Sequence, residues 1–453
     1  MSWLTLSQAA EMMGGELRGA DMPVDGVSTD TRKPVKNTLF FALQGPNFDA
    51  HEVLEASSGI RPAGIVVTHP IDHPAPQIVV SDTLIALGEL AAAWRQRFTG
   101  RVVALTGSNG KTTIKEMLAA IFAIDGTVLS TEGNLNNEIG VPLTLLRLRS
   151  QHLLAVIEMG ANHPGEIAYL SEIARPNITL LNNAAAAHLE GFGDIKGVAH
   201  SKGEIFSGMC QSGVAIINAD DGYHDYWVSL NLGRRRILFG RSPSATVRLV
   251  SASPVEIQWN GEIYPINLQL DGEHNACNAA AAWAVAVAVG VQPKMIQRGL
   301  ASIRPVKGRL QSSLGYHGAT IIDDSYNANP ASMHAGIEVL AAKSGRRILV
   351  LGEMGELGPD AGILHAEIGE KAASAGIDYL LSVGALGNVA AQAFGEGGRH
   401  YQRVDDLIAE ARPLMNNDTT LLVKGSRAAR MERVVMSLSE SVEESLGGHE
   451  HAA

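Results

Sequence analysis

One stretch constrains the fold more than any other: Arg101-Val-Val-Ala-Leu-Thr-Gly-Ser-Asn-Gly-Lys-Thr-Thr113. The apolar run Val102 to Leu105 predicts a buried strand. Ile114, Met117, Leu118 and Ile121 then recur at helical spacing over Lys111 to Phe122. A strand, a Gly-rich turn and a helix opening on Lys-Thr make a phosphate-binding loop. Backbone N–H groups of the turn and the helix N-terminus converge on one point, and the helix dipole favours anions there. Gly107, Ser108, Asn109, Gly110, Lys111, Thr112 and Thr113 are therefore candidate nucleotide-binding residues. Lys111 would reach the outer phosphates, and Thr112 would offer a hydroxyl to magnesium. The loop is a shortened variant, because G-x-x-x-x-G-K-[ST] asks for glycine where Leu105 stands. The alternative is a plain βα turn whose glycines serve geometry alone.

A chain of 453 residues exceeds one core and implies two or three domains. A formal charge of -11 argues against a nucleic-acid surface and against adhesion to anionic lipid. Phosphate ligands would then need cations gathered locally. Cys210 and Cys277 lie far apart without metal spacing, which fits a reducing compartment. The N-terminus has no basic segment followed by an apolar one, so no signal peptide is expected. The longest apolar run, Ala279 to Val289, is too short to span a bilayer and predicts a buried helix.

The pattern predicts an α/β protein of three units. Residues 1–98 mix short elements: a helix at Leu4 to Met13, strands at Thr38–Gly45, Gly64–Val67 and Gln77–Val80, and a helix over Leu84–Arg97. Asp49 and His51 there read as turn and cap chemistry. Residues 99–311 alternate strand and helix, as a parallel sheet with crossover helices does. Strands are expected at Thr127–Thr131, Leu153–Glu158, Ile178–Asn183 and Gly213–Asn218. A loop is expected at Ala187–Gly193, a helix at Asp194–Met209, and an antiparallel appendage at Val247–Leu270. Two helices, Asn275–Val289 and Pro293–Ile303, close this unit. Residues 312–453 repeat the alternation as a five-strand doubly wound unit, the last strands being His400–Val404 and Thr420–Val423. It carries no G-x-G-x-x-G at its first turn, so nicotinamide or flavin is not indicated.

Glu158 ends a fully apolar strand, where a carboxylate beside the phosphate loop can hold magnesium. His188 follows another strand end, and Lys202 has the spacing of an ordinary helical lysine. Asn275 opens an alanine-rich helix; it can meet a base edge or cap the helix. Arg309 and Asp324 flank the seam of the second and third units, which suits either a nucleotide held between domains or an ion pair.

Several segments resemble the Mur ligases, the ATP-dependent amide-forming enzymes of peptidoglycan synthesis. These are Thr106–Thr113, Gly133-Asn-Leu-Asn-Asn-Glu-Ile-Gly-Val-Pro142, Glu158-Met-Gly-Ala161, Ala187-His-Leu-Glu-Gly-Phe-Gly193, Lys202-Gly-Glu-Ile-Phe206, Asp324-Ser-Tyr-Asn-Ala-Asn-Pro330 and Leu351-Gly-Glu-Met-Gly-Glu-Leu-Gly358. The likeness runs nearly end to end and is strongest to the member that adds D-alanyl-D-alanine. It implies a UDP-sugar-binding first domain, a central P-loop-type ATPase domain and a Rossmann-like domain for the incoming dipeptide. The implied reaction joins D-alanyl-D-alanine to UDP-N-acetylmuramoyl-tripeptide through an acyl phosphate. Lys111 would hold phosphates, Thr112 and Glu158 one Mg2+ ion, and His188 a second with carbamylated Lys202. Asn275, Arg309 and Asp324 would contact ATP. Ser28, Arg32, Asn134, Asn136 and Asn137 match UDP-sugar contacts, and Lys424 and Arg427 are candidates in the third domain. A cytoplasmic monomer that binds neither nucleic acid nor membrane is implied. A folate polyglutamylating relative would lack the first domain, and a GTPase switch would carry Asn-Lys-x-Asp, which is absent.

Overall fold

The computed structural model describes residues 3–32, 36–56 and 61–440. Met1-Ser2 of the first unit and 441–453 of the third lie outside the described residues. Three main sheets, each largely parallel, organise the chain. In the first, β1 (Glu16–Arg18), β2 (Gly26–Ser28), β3 (Thr38–Phe41), β4 (Gly64–Val67) and β5 (Gln77–Val79) stand in the order β1-β5-β4-β3-β2. Of these, β1 runs antiparallel to β5 and the rest are parallel. Helix α1 (Leu6–Met13) starts in a Thr5/Gln8 capping box and ends on Gly14. Helix α2 (Thr83–Gln96) starts on the Asp82 carboxylate.

The central sheet holds β6 (Arg101–Thr106), β7 (Thr127–Ser130), β8 (His152–Glu158), β9 (Ile178–Leu181), β10 (Val214–Asn218), β11 (Arg235–Gly240), β12 (Val247–Ala252), β13 (Val255–Trp259) and β14 (Glu262–Ile266). Their order is β7-β8-β6-β9-β10-β11-β12-β13-β14. From β6 the chain builds first towards β7 and β8, then returns to build β9 and β10 on the other side. The end of β6 is thus a topological switch point, where ligands of α/β sheets bind. Val102 and Ala104 join the core on one face, Val103 and Leu105 the core on the other. Burial on both faces explains why this strand reads as continuously apolar. The second face is covered by α3 (Lys111–Phe122) and by the later alanine-rich helix Glu273–Val289, which pack on each other. Between them in the chain come α4 (Glu166–Ala174) and α5 (Ile195–Gly203), and Glu273–Val289 is α6.

The third sheet has the order β15-β16-β20-β17-β18-β19, from β15 (Gln311–Leu314), β16 (Thr320–Asp324), β17 (Arg346–Leu351), β18 (Tyr379–Val383), β19 (Gly398–Tyr401) and β20 (Thr419–Lys424). It has six strands where five were expected, because the polar Gln-Ser-Ser-Leu segment adds an antiparallel edge. The strand expected to end at Val404 stops at Tyr401. Val404 instead opens a helix whose first turn holds Asp405 and Asp406, acids that suit a helix N-terminus. Several elements had no expectation: β1, β2 and the helix Ala50–Ala56 in the first unit, and the helix His224–Ser229 and β11 in the second, β11 carrying its apolar trio behind three arginines. The antiparallel strands are no separate appendage, since Phe239 and Gly240 pair with Val247 and Arg248 and make the sheet continuous. The expected loop at Ala187–Gly193 contains one helical turn, Leu189–Phe192, and the helix expected to reach Met209 becomes a 3-10 turn after Gly203. No helix among the described residues is long and apolar enough to cross a membrane.

The first two sheets share a core that runs from Leu39, Phe41 and Val66 through Leu87 and Leu90 of α2 to Val102 and Ile157. Arg95, buried at the end of α2, locks this junction. Its guanidinium donates to the carbonyls of Ala174 at 2.8 Å, Phe98 at 3.0 Å and Arg175 at 3.1 Å, and to Asn177 Oδ1 at 3.3 Å. The Ala174 and Arg175 carbonyls close the C-terminus of α4, where a cation is favoured. Removing the guanidinium strands these acceptors. Arg95→Ala is expected to cost about 2–4 kcal/mol, the price of unmet buried hydrogen bonds to a charged group. A lowered Tm with unchanged secondary-structure content checks this.

Candidate active site

The phosphate loop is held from behind by amides. Asn182 Nδ2 donates to the Asn109 carbonyl at 3.0 Å, and Asn183 Oδ1 accepts the Asn109 N–H at 2.9 Å. Ser108 Oγ accepts from the Ala185 N–H at 2.9 Å. Asn182 and Asn183 end the strand that sequence reading placed at Ile178–Asn183, and their bracing role carried no motif. Gly110 is left-handed at φ +81, and a Cβ there would lie 2.4 Å from Asn278 Oδ1. Both the conformation and the space therefore demand glycine. Lys111 starts α3, and its Nζ donates to the Gly107 carbonyl at 2.7 Å. Burial lowers its pKa; Glu158 opposes that shift and Arg309 adds to it.

Glu158 ends β8 beside Leu105 of β6. It is 2% exposed, so its charge needs partners. Oε1 accepts from Asn136 Nδ2 at 2.8 Å and from Thr112 Oγ1 at 3.4 Å. Oε2 is buried with no hydrogen-bond partner among the described residues. An orphaned carboxylate oxygen next to a hydroxyl and a phosphate loop suits a hard divalent cation that takes its remaining oxygens from substrate phosphate. No group of three His, Cys, Asp or Glu side chains able to cage a metal occurs among the described residues.

Lys202 lies in α5, 2% exposed. Its Nζ has no hydrogen bond or ion pair among the described residues. Burial, together with the charge of Lys111, holds this amine well below the ordinary 10.5. His188 sits in the left-handed region at φ 55, and its Nδ1 faces the carboxylate of Glu356 in the third unit. Burial lowers the His188 pKa, Glu356 works the other way, and Lys111 and Lys202 lower it further. Just beyond Lys202, the Glu204 carboxylate accepts the N–H groups of Gly165 and Ala168 and so fixes the start of α4.

At the seam, Arg309 stacks 4.1 Å from the Tyr326 ring centroid and donates to Thr112 Oγ1 at 3.3 Å. Asn329 caps the helix Pro330–Ala341 and also donates to Asn109 Oδ1 at 2.8 Å. Asp324 is held by Lys424 Nζ at 2.6 Å. Asn275 uses one amide hydrogen on the Asp271 carbonyl at 2.7 Å and accepts from Asn278 at 3.2 Å. One N–H and one lone pair of that amide stay available for a base. Asn109, Asn275, Asn278, Arg309, Asp324, Tyr326, Asn329 and Lys424 face one cavity of about 1010 Å³ between the second and third units; Thr112 stands behind its wall, in contact with Glu158 and Arg309.

The structure therefore brings together Ser108 to Lys111, Glu158, His188, Lys202, Asn275, Arg309 and Asp324, with Asn134, Asn136 and Asn137 on the same wall. Ser28 and Arg32 do not line the cavity; Ser28 ends β2, and beyond it Arg32 pairs with Asp30 at 2.8 Å. His51 is structural, as its residue type suggested: Nδ1 meets Asp49 at 2.7 Å and Nε2 accepts the Thr68 N–H at 3.0 Å.

Residues 105–286 match the Mur ligase middle domain and residues 308–427 the Mur ligase glutamate ligase domain. The chain is 45% identical over 449 residues to the UDP-N-acetylmuramoyl-tripeptide–D-alanyl-D-alanine ligase of Escherichia coli K12, covering 97% of this chain and 99% of that one. The chain belongs to the Mur ligase family. Among solved structures, MurF from Acinetobacter baumannii superposes with a TM-score of 0.90 at 33% identity, covering 97% of this chain and 99% of that one. MurF ligase from Thermotoga maritima, solved in complex with ADP, gives 0.81 at 25% identity, covering 93% and 98%.

In this Mur ligase the buried amine of Lys202 has a pH signature. Its folded-state pKa is depressed, so above that value the unfolded chain binds more protons than the folded one. Stability then rises with pH until the ordinary 10.5 is reached. Lys202→Met removes the penalty. In bicarbonate-free buffer it is expected to be more stable than the parent at neutral pH, the gap closing as pH approaches 10.5. Urea-denaturation midpoints across pH test this, and a constant gap would contradict it.

Proposed function

We infer that this chain joins D-alanyl-D-alanine to UDP-N-acetylmuramoyl-tripeptide using ATP, giving the pentapeptide precursor of peptidoglycan. One observation carries the reading in a chain with such relatives: the phosphate loop, the unpaired Glu158 oxygen and the uncompensated Lys202 face a single cavity walled by the third unit. The tripeptide's terminal carboxylate attacks the γ-phosphate, forming an acyl phosphate and releasing ADP. The dipeptide amine then attacks the acyl carbon, and phosphate leaves as the amide forms. Positioning and charge dominate such chemistry.

Lys111 leaves the Gly107 carbonyl for the phosphates and offsets their charge where two anions meet. Arg309 and Asp324 approach ATP from the seam, and Asn275 offers its free amide edge to the base. Thr112 and Glu158 would hold one Mg2+ ion, and His188 with Lys202 a second; bound there, the ions screen the phosphoryl oxygens. Lys202 fits this as a carbamate: its neutral amine adds CO2 and loses a proton, so a buried cation becomes an oxygen ligand. The depressed pKa and the missing counter-ion both support that reading. Residues 1–98 would hold the UDP-sugar with Ser28 and Arg32, aided by Asn134, Asn136 and Asn137. Residues 99–311 would bind ATP and 312–453 the dipeptide. The enzyme would work as a cytoplasmic monomer.

Phosphate release is expected to need both the tripeptide nucleotide and D-alanyl-D-alanine. Lys111→Ala should lower kcat by roughly 10²–10³, as loss of one transition-state charge contact does. Release that ignores the dipeptide would remove the ligase reading. With ¹³C-bicarbonate, a carbamate resonance present in the parent and absent in Lys202→Ala would mark the modified lysine. Its absence in the parent would leave Lys202 an unmodified amine.

A further inference from the structure

The third unit lines the cavity with two carboxylates, Asp324 and Glu356. Asp324 is occupied by Lys424. Glu356 instead projects across the seam to His188, with its side chain 53% exposed. It follows β17 at the C-terminal end of a parallel sheet, the end at which ligands bind. Its backbone is left-handed at φ 60 although it is not glycine. It caps no helix, and burial does not pin it there. Strain of this kind marks positions held for function.

The opposite wall carries Lys111 and Lys202, which attract carboxylates and phosphates and repel an ammonium. That wall also carries Glu138, Glu158 and Glu166, of which Glu158 is taken up by Asn136 and Thr112 and Glu166 by Asn162 and His163. An amine approaching from the third unit's side meets Glu356 as the carboxylate there that no lysine holds. The neighbouring strand β20 supplies the complement. Ser426, after β20, donates its N–H to the Glu353 carbonyl at 2.8 Å. A Cβ on Gly355 would lie 3.6 Å from Ser426 Cβ, so the two loops touch. Glu356 and Arg427 are the next residues of those loops, and both line the cavity. Arg427 shares one guanidinium nitrogen with Glu432 at 3.2 Å and is 66% exposed, leaving donors for a second carboxylate.

We propose that Glu356 binds the ammonium of the incoming dipeptide and that Arg427 takes its carboxylate. The pair recognises a short zwitterion by its two ends. The inference rests on the ligase reading and names the residues that bind its nucleophile. Glu356 faces His188 across the seam; an arriving ammonium would take the carboxylate over.

The test compares two acceptors of the acyl phosphate, D-alanyl-D-alanine and hydroxylamine, a neutral amine that needs no ammonium site. The parent enzyme must first form the pentapeptide nucleotide; if it does not, the ligase reading fails before this inference is reached. Given that activity, Glu356→Gln and Arg427→Ala should each raise KM for D-alanyl-D-alanine at least tenfold, and Glu356→Lys more. Hydroxamate formation and the KM for ATP should stay within about twofold of the parent. Glu356→Gly suits the left-handed backbone, so it should keep or raise Tm while showing the same KM defect. An unchanged dipeptide KM in Glu356→Gln, or an equal loss with hydroxylamine and dipeptide, would overturn the proposal.

Discussion

Lys202 is buried without a counter-ion, and the charge it feels is that of Lys111. Two cations held in one dry cleft repel each other and lose hydration, so the arrangement costs stability as it stands. Glu158 offsets part of that charge at Lys111, and further anions would offset the rest. Phosphate groups over the loop and a carboxylate-like group on Lys202 would turn the repulsion into attraction. The unpaired Glu158 Oε2 has the opposite sign and the same logic: Asn136 and Thr112 serve only Oε1, so the second oxygen suits a cation. The cleft is thus a set of half-made interactions. The amide chain behind the loop keeps them from collapsing on one another: Asn109 is held by Asn182, Asn182 by Asn278, and Asn278 by Asn275.

The same amide chain has a partner on the far side. Asn329 of the third unit reaches Asn109, and Arg309 reaches Thr112. Both contacts fall on the phosphate loop itself, so the third unit touches that loop directly. The other contacts across this seam, His188 with Glu356 and Lys343 with Asp271, are also polar. Among the described residues the buried cores of the second and third units are separate clusters. The first and second units, by contrast, share a core and the Arg95 clamp.

Much of this architecture was legible in the residues. The phosphate-loop strand and helix announce themselves because a strand buried on both faces must be continuously apolar, and because Gly110 tolerates no side chain. The helix Lys111–Phe122 and the strand Tyr379–Val383 fall where their periodicity puts them. What stayed hidden has a common cause. The edge strand Gln311–Leu314 is polar because one side faces solvent, and β11 hides its apolar trio behind arginines. Local pattern reports burial, so lightly buried strands leave little trace. The site divides in the same way. Lys111, Thr112 and Glu158 stand at strand and helix ends and could be read from chemistry. Lys202 could be singled out only through family resemblance, because its significance is three-dimensional: burial without a partner. Asn182, Asn183 and Asn329 act through contacts between distant segments, which no spacing encodes.

The contrast between the two seams has a chemical consequence. An acyl phosphate is open to water, so the group that delivers the amine should arrive after the phosphate loop is loaded and should shut the cleft as it comes. A seam of polar contacts suits that task, because each contact can be exchanged for water when the units part. An apolar seam would hold the third unit in place whatever was bound. The first unit has no such duty. If it anchors the nucleotide end of a long substrate, a shared core and a buried arginine let it hold that end at a fixed distance from the phosphate loop. A fused pair and a third unit joined to it through polar contacts suit the order in which an activated acid and its nucleophile must meet.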